Sequence, residues 1–265
     1  MNLLPFERTD LDSLKELQPT GWDNITPHFN FYLNSSFCFP MKVISDDKVI
    51  GIGASILHDN VAWLAHIIVH SGYRNKGIGS FITQNLINAL KSKTETIYLI
   101  ATDMGEPVYK KLGFIAEADY LFFNNGSFGG DVVIADYIKP YEEEYLTKVL
   151  AIDLEVYGET RAMHIRPFLP DSFVFINNNK VEGFYLPRFS NGLIVAKNAN
   201  AGTELMKLRS KAFEYFIFPS DNKPATDYLV KHNYTHFRTA KRMRLGKSRV
   251  WQPENIYNRV SGQIG

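Results

Sequence analysis

The chain has 265 residues, enough for one large domain or two of average size. Hydrophobic residues make up 45% and charged residues 22%, which excludes long disorder, a collagen-like repeat and a coiled-coil rod. The net charge of +1 excludes a global basic field for wrapping nucleic acid, and the single cysteine, Cys38, excludes an internal disulfide and a four-cysteine zinc site.

In chain order, LDSLKELQPTGW predicts a short helix with Leu11, Leu14 and Leu17 on one face, closed by Gln18-Pro19. A second, aromatic-rich helix is predicted over Ile25 to Phe37. MKVISDDKVIGIGASIL reads as a hairpin around Ser45-Asp46-Asp47-Lys48. Gly51 and Gly53 read as plain strand glycines, because GIGASI lacks the third glycine of a dinucleotide fingerprint. A strand follows over Val61 to His70, then a glycine-bearing basic loop, then a helix whose Ile82, Leu86 and Leu90 form one apolar stripe. TIYLIAT returns as a strand, PVYKKL is helical with Gly113 as its exit, and LFF and DVVIAD supply two further strand candidates. Strand alternating with helix predicts an α/β layer architecture.

Around DYIKPYEEE the β-rich text stops, which places a domain boundary at 139/140 and gives domains 1–139 and 140–265. The second half then echoes the first. GLIVAKNANAGTELMKLRSKAFEYFIFPSDNKPATDYLVKHNYTHF repeats the order strand, glycine-bearing loop, helix, strand, proline-opened helix and Asn-Tyr exit. Its loop keeps Gly202 but no cations and no second glycine, so no second anion site is expected there.

The loop RNKGIG carries the chemistry. Glycines let backbone approach a ligand closely, and the following helix presents unpaired N–H groups and a positive dipole end. Arg74 and Lys76 add two cations beside Gly77 and Gly79, so a pyrophosphate is the natural guest. A P-loop is excluded because GxxxxGK[ST] is absent. The alternative is a tight surface turn that keeps its glycines for packing.

VAWLAHIIVHSGYRNKGIGS followed by PVYKKLGF resembles the GNAT superfamily of N-acetyltransferases, over about Lys42 to Phe123. The second half, through LEVYGETR (Leu154 to Arg161) and RMRLG (Arg242 to Gly246), resembles the degenerate GNAT-like domain of tandem members. The resemblance implies a central twisted mixed sheet flanked by helices, followed by a second, smaller domain that walls the substrate pocket. It implies acetyl-CoA as co-substrate, held by Ile67, Ile68, Val69, by Arg74, Asn75, Lys76, Gly77, Ile78, Gly79 and Ser80, and by Thr102. It implies that the strand at Ile67 to Val69 splays from its neighbour and polarises the thioester carbonyl through a backbone N–H. Tyr109 stands at the family's general-acid position, where a phenol can protonate a departing thiolate. The positions where several members carry a basic Glu or His hold Trp63 and Ala65 here, so Trp63 suggests an aromatic wall for the acceptor. Strand alternation turns His66 and His70 to the opposite face unless a bulge intervenes.

The implied function is acetyl transfer to a primary amine of a small molecule or amino-acid-like acceptor, with a non-catalytic acyl-CoA-binding or regulatory protein as the rival. Tyr157 and Arg161 are candidate acceptor contacts from the second half, with an Arg161–Asp153 ion pair as the structural alternative. The six cations of RTAKRMRLGKSR, Arg238 to Arg249, alternate with Met243 and Leu245 and predict a strand with one solvated face rather than a nucleic-acid contact. The seven histidines show no metal-ligand spacing, and no G-x-S-x-G elbow occurs. No apolar run is long enough to cross a bilayer and no secretory leader is legible, so a cytoplasmic location is expected; the oligomeric state is not legible.

Overall fold

The computed structural model describes residues 2–129 and 133–265. The chain divides into two compact units: residues 2–116 with Met243–Ser248 and Gly262–Ile264, and Glu117–Arg242 with Arg249–Ser261 and Gly265. The expected boundary at 139/140 lies inside the second unit, because the strand before it registers there, with Phe123 opposite Phe216.

In the first unit, β1 (Leu3–Pro5), the short helix α1 (Leu14–Leu17) and α2 (Thr26–Asn34) precede β2 (Cys38–Ser45), β3 (Lys48–His58) and β4 (Val61–Val69). The hairpin between β2 and β3 is closed by Asp46 and Asp47, both at positive φ, which matches the twist of the strands it joins. Then follow α3 (Ile78–Leu90), β5 (Thr96–Ala101), α4 (Glu106–Lys111) and the first residues of β6 (Ile115–Asn124). The sheet order is β1-β2-β3-β4-β5, all antiparallel except β4 with β5. α3 lies on β3 through Ile82, Leu86 and Leu90, which enter one core with Leu64, Leu99 and Phe114. Burying each such side chain stabilises by about 1.5–3 kcal/mol. Gly51 and Gly53 make that approach possible: a Cβ there would stand 2.9 Å and 2.7 Å from Ile82.

In the second unit, β7 (Ile138–Pro140), α5 (Leu146–Tyr157) and α6 (Ala162–Ile165) precede β8 (Phe173–Asn177), β9 (Lys180–Leu186) and β10 (Leu193–Ala196). α7 (Ala199–Ser210), β11 (Phe216–Pro219), α8 (Lys223–Lys231), β12 (Thr235–Gly246) and β13 (Ile256–Asn258) complete the chain. Strands β13-β10-β9-β8-β7 form one sheet, and β12-β6-β11 are neighbours in another. The β10–α7–β11–α8 succession has the same order as β4–α3–β5–α4.

Three local expectations change. The strand expected over DVVIAD is not seen: Val133–Asp136 lie outside any strand, and Asp131 and Val132 are outside the described residues. Gly202 is not in a loop but inside α7, where a Cβ would meet the Tyr257 ring at 2.2 Å, so its small size serves packing. The face expected to be solvated on β12 is not uniformly so: Arg242 is wholly buried, 3.4 Å from Glu117 and 3.5 Å from Glu159, over the Trp251 ring.

Candidate functional site

The pairing of β4 with β5 runs Val61–Thr96, Ala62–Ile97 and Trp63–Tyr98, and there the register ends. β4 continues to Val69 and β5 to Ala101, so beyond Trp63 the two parallel strands diverge. Past this point β4 carries Ile67, Ile68 and Val69, with Ile68 buried and its neighbours half-buried. The expected splay is therefore present.

The chain then passes His70, whose ring accepts from the Gly72 N–H at 3.2 Å, and enters the basic loop. Arg74, Asn75, Lys76 and Gly77 are exposed, Ile78 is buried, and Gly79 and Ser80 are half-buried. Asn75 at φ 62° and Gly77 at φ 79° turn the backbone left-handed just before α3. Gly77 is the N-cap of that helix, and no side chain caps it, so first-turn N–H groups remain available to an anion. A Cβ on Gly77 would meet nothing within 4 Å, and one on Gly79 only Val69 at 3.8 Å. Gly79 is thus not required by packing within the chain; its open side faces outward. Arg74 Nε donates to the Val69 carbonyl at 3.2 Å, tying the loop to the end of β4, and Lys76 Nζ lies 5.2 Å from the centre of the Tyr73 ring. This pattern of uncapped N–H groups, left-handed backbone and two cations fits a pyrophosphate.

The equivalent helix of the second unit is closed to such a guest. Asn198 caps α7 by accepting from the Ala201 N–H at 2.9 Å, while its Nδ2 donates to Glu182 at 2.9 Å. A side chain satisfies the helix, and a carboxylate stands beside it.

Thr102, just past β5, closes the turn that leads into α4: its carbonyl accepts from the Gly105 and Glu106 N–H groups, each at 2.9 Å. Tyr109 on α4 packs in the same core as Ile78, its ring 6.0 Å from Phe114. Burial pushes its phenol up to about 12. At neutral pH it carries its proton.

The feature missed by strand alternation is a β-bulge. The β3–β4 register passes from Ile52–Ile68 to Ala54–Ala65, so His66 and Ile67 together oppose Gly53, and His66 sits at φ 47°. The bulge turns His66 into an aromatic group on α2 and the preceding loop. Its ring centroid lies 5.0 Å from His28, 5.7 Å from Phe29 and 6.3 Å from Trp22. The Tyr32 hydroxyl lies 2.8 Å from His66 Nδ1. Gln263 hydrogen-bonds the Tyr32 oxygen, and burial holds that phenol's pKa well above 10. Burial, and then His28, pull His66 down to about 3; burial lowers His28 too, against the nearby Asp23. No sequence signal marks this bulge beyond a histidine, which tolerates positive φ better than its β-branched neighbours.

The candidate acceptor residues fall elsewhere. Trp63 is wholly buried, its ring 5.2 Å from Tyr98, and presents no wall to a ligand. Tyr157 and Arg161 are also buried, in the second unit. Arg161 pairs with Asp153 through Nη2 at 2.6 Å and Nε at 3.1 Å, and its guanidinium lies 3.3 Å from the Tyr157 ring centre. The ion pair, the structural alternative, is what forms. Among the described residues no group of three or more His, Cys, Asp or Glu is placed to hold a metal ion, and no helix is long and apolar enough to cross a membrane.

Residues 6–114 match the model of the acetyltransferase (GNAT) family. No curated protein matches the chain. A crystal structure from Pyrococcus horikoshii, of a protein described as an acetyltransferase, is similar with a TM-score of 0.84 at 18% identity, covering 100% of this chain and 95% of that one. A tandem GNAT protein from the clavulanic acid biosynthesis pathway is similar with a TM-score of 0.63 at 13% identity, covering 93% and 99%. A Thermoplasma acidophilum protein described in the same terms as the Pyrococcus one gives 0.60 at 12%, covering 93% and 100%. At such identities the likeness is one of fold.

Proposed function

We propose that residues 6–114, which match the model of the acetyltransferase (GNAT) family, act as a domain of that family, and that the protein transfers the acetyl group of acetyl-CoA to a primary amine of a small molecule or amino-acid-like acceptor. The observation that carries this reading is the juxtaposition of the β4–β5 divergence with the uncapped N-terminus of α3. Bound acetyl-CoA supplies an acyl thioester. The exposed loop Arg74–Gly77 and the first-turn N–H groups of Ile78, Gly79 and Ser80 bind the pyrophosphate. Backbone N–H groups of Ile67 to Val69, beyond the last β4–β5 pair, orient and polarise the thioester carbonyl. The turn at Thr102 positions α4, and with it Tyr109, whose buried phenol gives its proton to the leaving thiolate and is restored by the proton that the amine nitrogen sheds after attack.

The acceptor side has no strong base at rest. A proton acceptor works best with a pKa near the operating pH, and His66 is held at about 3. The acceptor therefore enters as the free amine. In this reading Trp63, Tyr157 and Arg161 serve as core residues and touch no substrate.

The absence of a resting base is also what favours the rival reading, a protein that binds acyl-CoA without turning it over. Thiol release from acetyl-CoA, followed against a pooled library of primary amines, separates the two. Amine-dependent thiol release with an acetylated product is expected. Stoichiometric coenzyme binding with no release above the amine-free rate would leave only the binding protein.

A further inference from the structure

Arg161, Arg242 and Arg259 of the second unit are all buried, and two of them have carboxylates. Arg161 holds Asp153, and Arg242 lies between Glu117 and Glu159. Arg259 differs. It is 5% exposed, and its Nε and Nη1 are buried with no hydrogen-bond partner. Among the described residues no carboxylate pairs with it. Its guanidinium instead lies over two rings, 5.4 Å from the centre of Tyr120 and 5.1 Å from that of Phe122.

A second cation shares the same ring. Arg238, exposed on β12, has its guanidinium 5.1 Å from the centre of Phe122 and likewise pairs with no carboxylate among the described residues. Two like charges thus gather on one aromatic side chain. The main chain of Arg259 is fixed: its N–H donates to the Ile217 carbonyl at 2.8 Å, and its carbonyl accepts from Asn258 Nδ2 at 3.1 Å.

A lysine placed this way would shed its proton, but an arginine does not. Burial, foremost, and the like charge of Arg238 pull Arg259 down against the opposing Tyr120, yet only to about 10, so it stays charged at neutral pH. A buried, charged fork with idle donors beside a second cation is unfavourable as it stands and is completed by a negative group from outside the chain. Rings beneath the two guanidinium planes orient them without neutralising them.

We propose that Arg259 and Arg238, both against Phe122, form an oxyanion-binding site in the second unit, taking the carboxylate or phosphate of a small molecule. The site shares no residue with the loop at Arg74 to Ser80 and does not rest on the proposed acetyl transfer.

The test uses the full-length chain saturated with coenzyme A, and in parallel a Gly77→Val variant, so that the α3 nest does not report. Succinate and inorganic phosphate are titrated at constant ionic strength against a chloride control, reading calorimetry and thermal melting. Saturable binding and a rise in Tm are expected with at least one of them, and the tighter anion identifies the source chemistry. Arg238→Gln, at an exposed position, is expected to weaken binding about tenfold, the worth of one charged hydrogen bond. Arg259→Met is expected to abolish binding while the anion-free Tm does not fall, because the change removes a buried unpaired charge. No saturable effect of either anion beyond chloride would overturn the site, as would unchanged affinity in Arg259→Met. Should that variant fail to fold, undiminished affinity in Arg238→Gln would do the same.

Discussion

The hydroxyl of Tyr32 lies 2.8 Å from Nδ1 of His66, and the bulge at His66 is what brings the two together. Because the phenol keeps its proton and the imidazole is held at about 3, this pair is uncharged throughout the physiological range.

A pH profile follows from that pair. His66 is held at about 3, so it gains no proton as pH falls through the usual histidine range, and burial lowers His28 from its ordinary value. Tyr109, raised to about 12, loses its proton only far above neutrality. The value of kcat/KM should therefore rise with pH along the titration of the acceptor's own amine, with no inflection near 6.5 and no descending limb below pH 11. An inflection between pH 6 and 7 that disappears in His66→Gln would instead make His66 a titrating base.

Gly77 is at φ 79° with nothing near its missing Cβ. Gly77→Val should cost roughly 1–3 kcal/mol of stability, from left-handed strain alone, and reduce coenzyme A affinity on the order of 10²-fold. Gly79 has no positive φ and a Cβ there meets only Val69 at 3.8 Å, so a loss of affinity in Gly79→Val reports mainly the approach of the ligand. Arg74→Ala should weaken binding less, and the deficit should shrink at high salt. Calorimetry should give one coenzyme per chain, because Asn198 already caps the matching helix. Undiminished affinity in folded Gly79→Val, or two equivalent sites, would remove this assignment.

Tyr109→Phe keeps the ring against Phe114 and removes only the donor. Turnover should drop on the order of 10²-fold, with coenzyme affinity nearly intact. The deficit should be smaller with an acyl donor whose leaving thiol is more acidic. Turnover equal to the parent's, with chemistry rate-limiting, would reduce Tyr109 to a packing residue.

Truncation after Pro140 should be destructive. It removes Met243–Ser248, which belong to the first unit: Met243 is wholly buried in its core, and Lys247 bonds back to Glu95 and Thr96 at 3.0 Å and 2.9 Å. The shortened chain loses these contacts and leaves the β5 edge without its neighbour. Size-exclusion chromatography should find it aggregated. A monomeric truncation with the parent's Tm would contradict this.

The α3 stripe, the Asp46-Asp47 turn, the RNKGIG loop and the proline-opened α4 and α8 were legible in the chain because each is local. Helical spacing, a two-residue turn and a left-handed glycine are written in neighbouring residues. The same locality explains why the strand–helix order of the two halves could be read by eye.

What only the tertiary structure decided depends on residues far apart in sequence. Whether an arginine on β12 meets water or carboxylates depends on Glu117 and Glu159, so Arg242 is buried where alternation predicts exposure. Gly202 is small because Tyr257 stands against it, and the first unit is completed by a strand end from the far end of the chain. The side of the sheet on which His66 acts is set by one extra residue in β4 against β3. A period-two pattern cannot report such an insertion, because the bulge changes which strand residues face each other without changing a single letter of the strand.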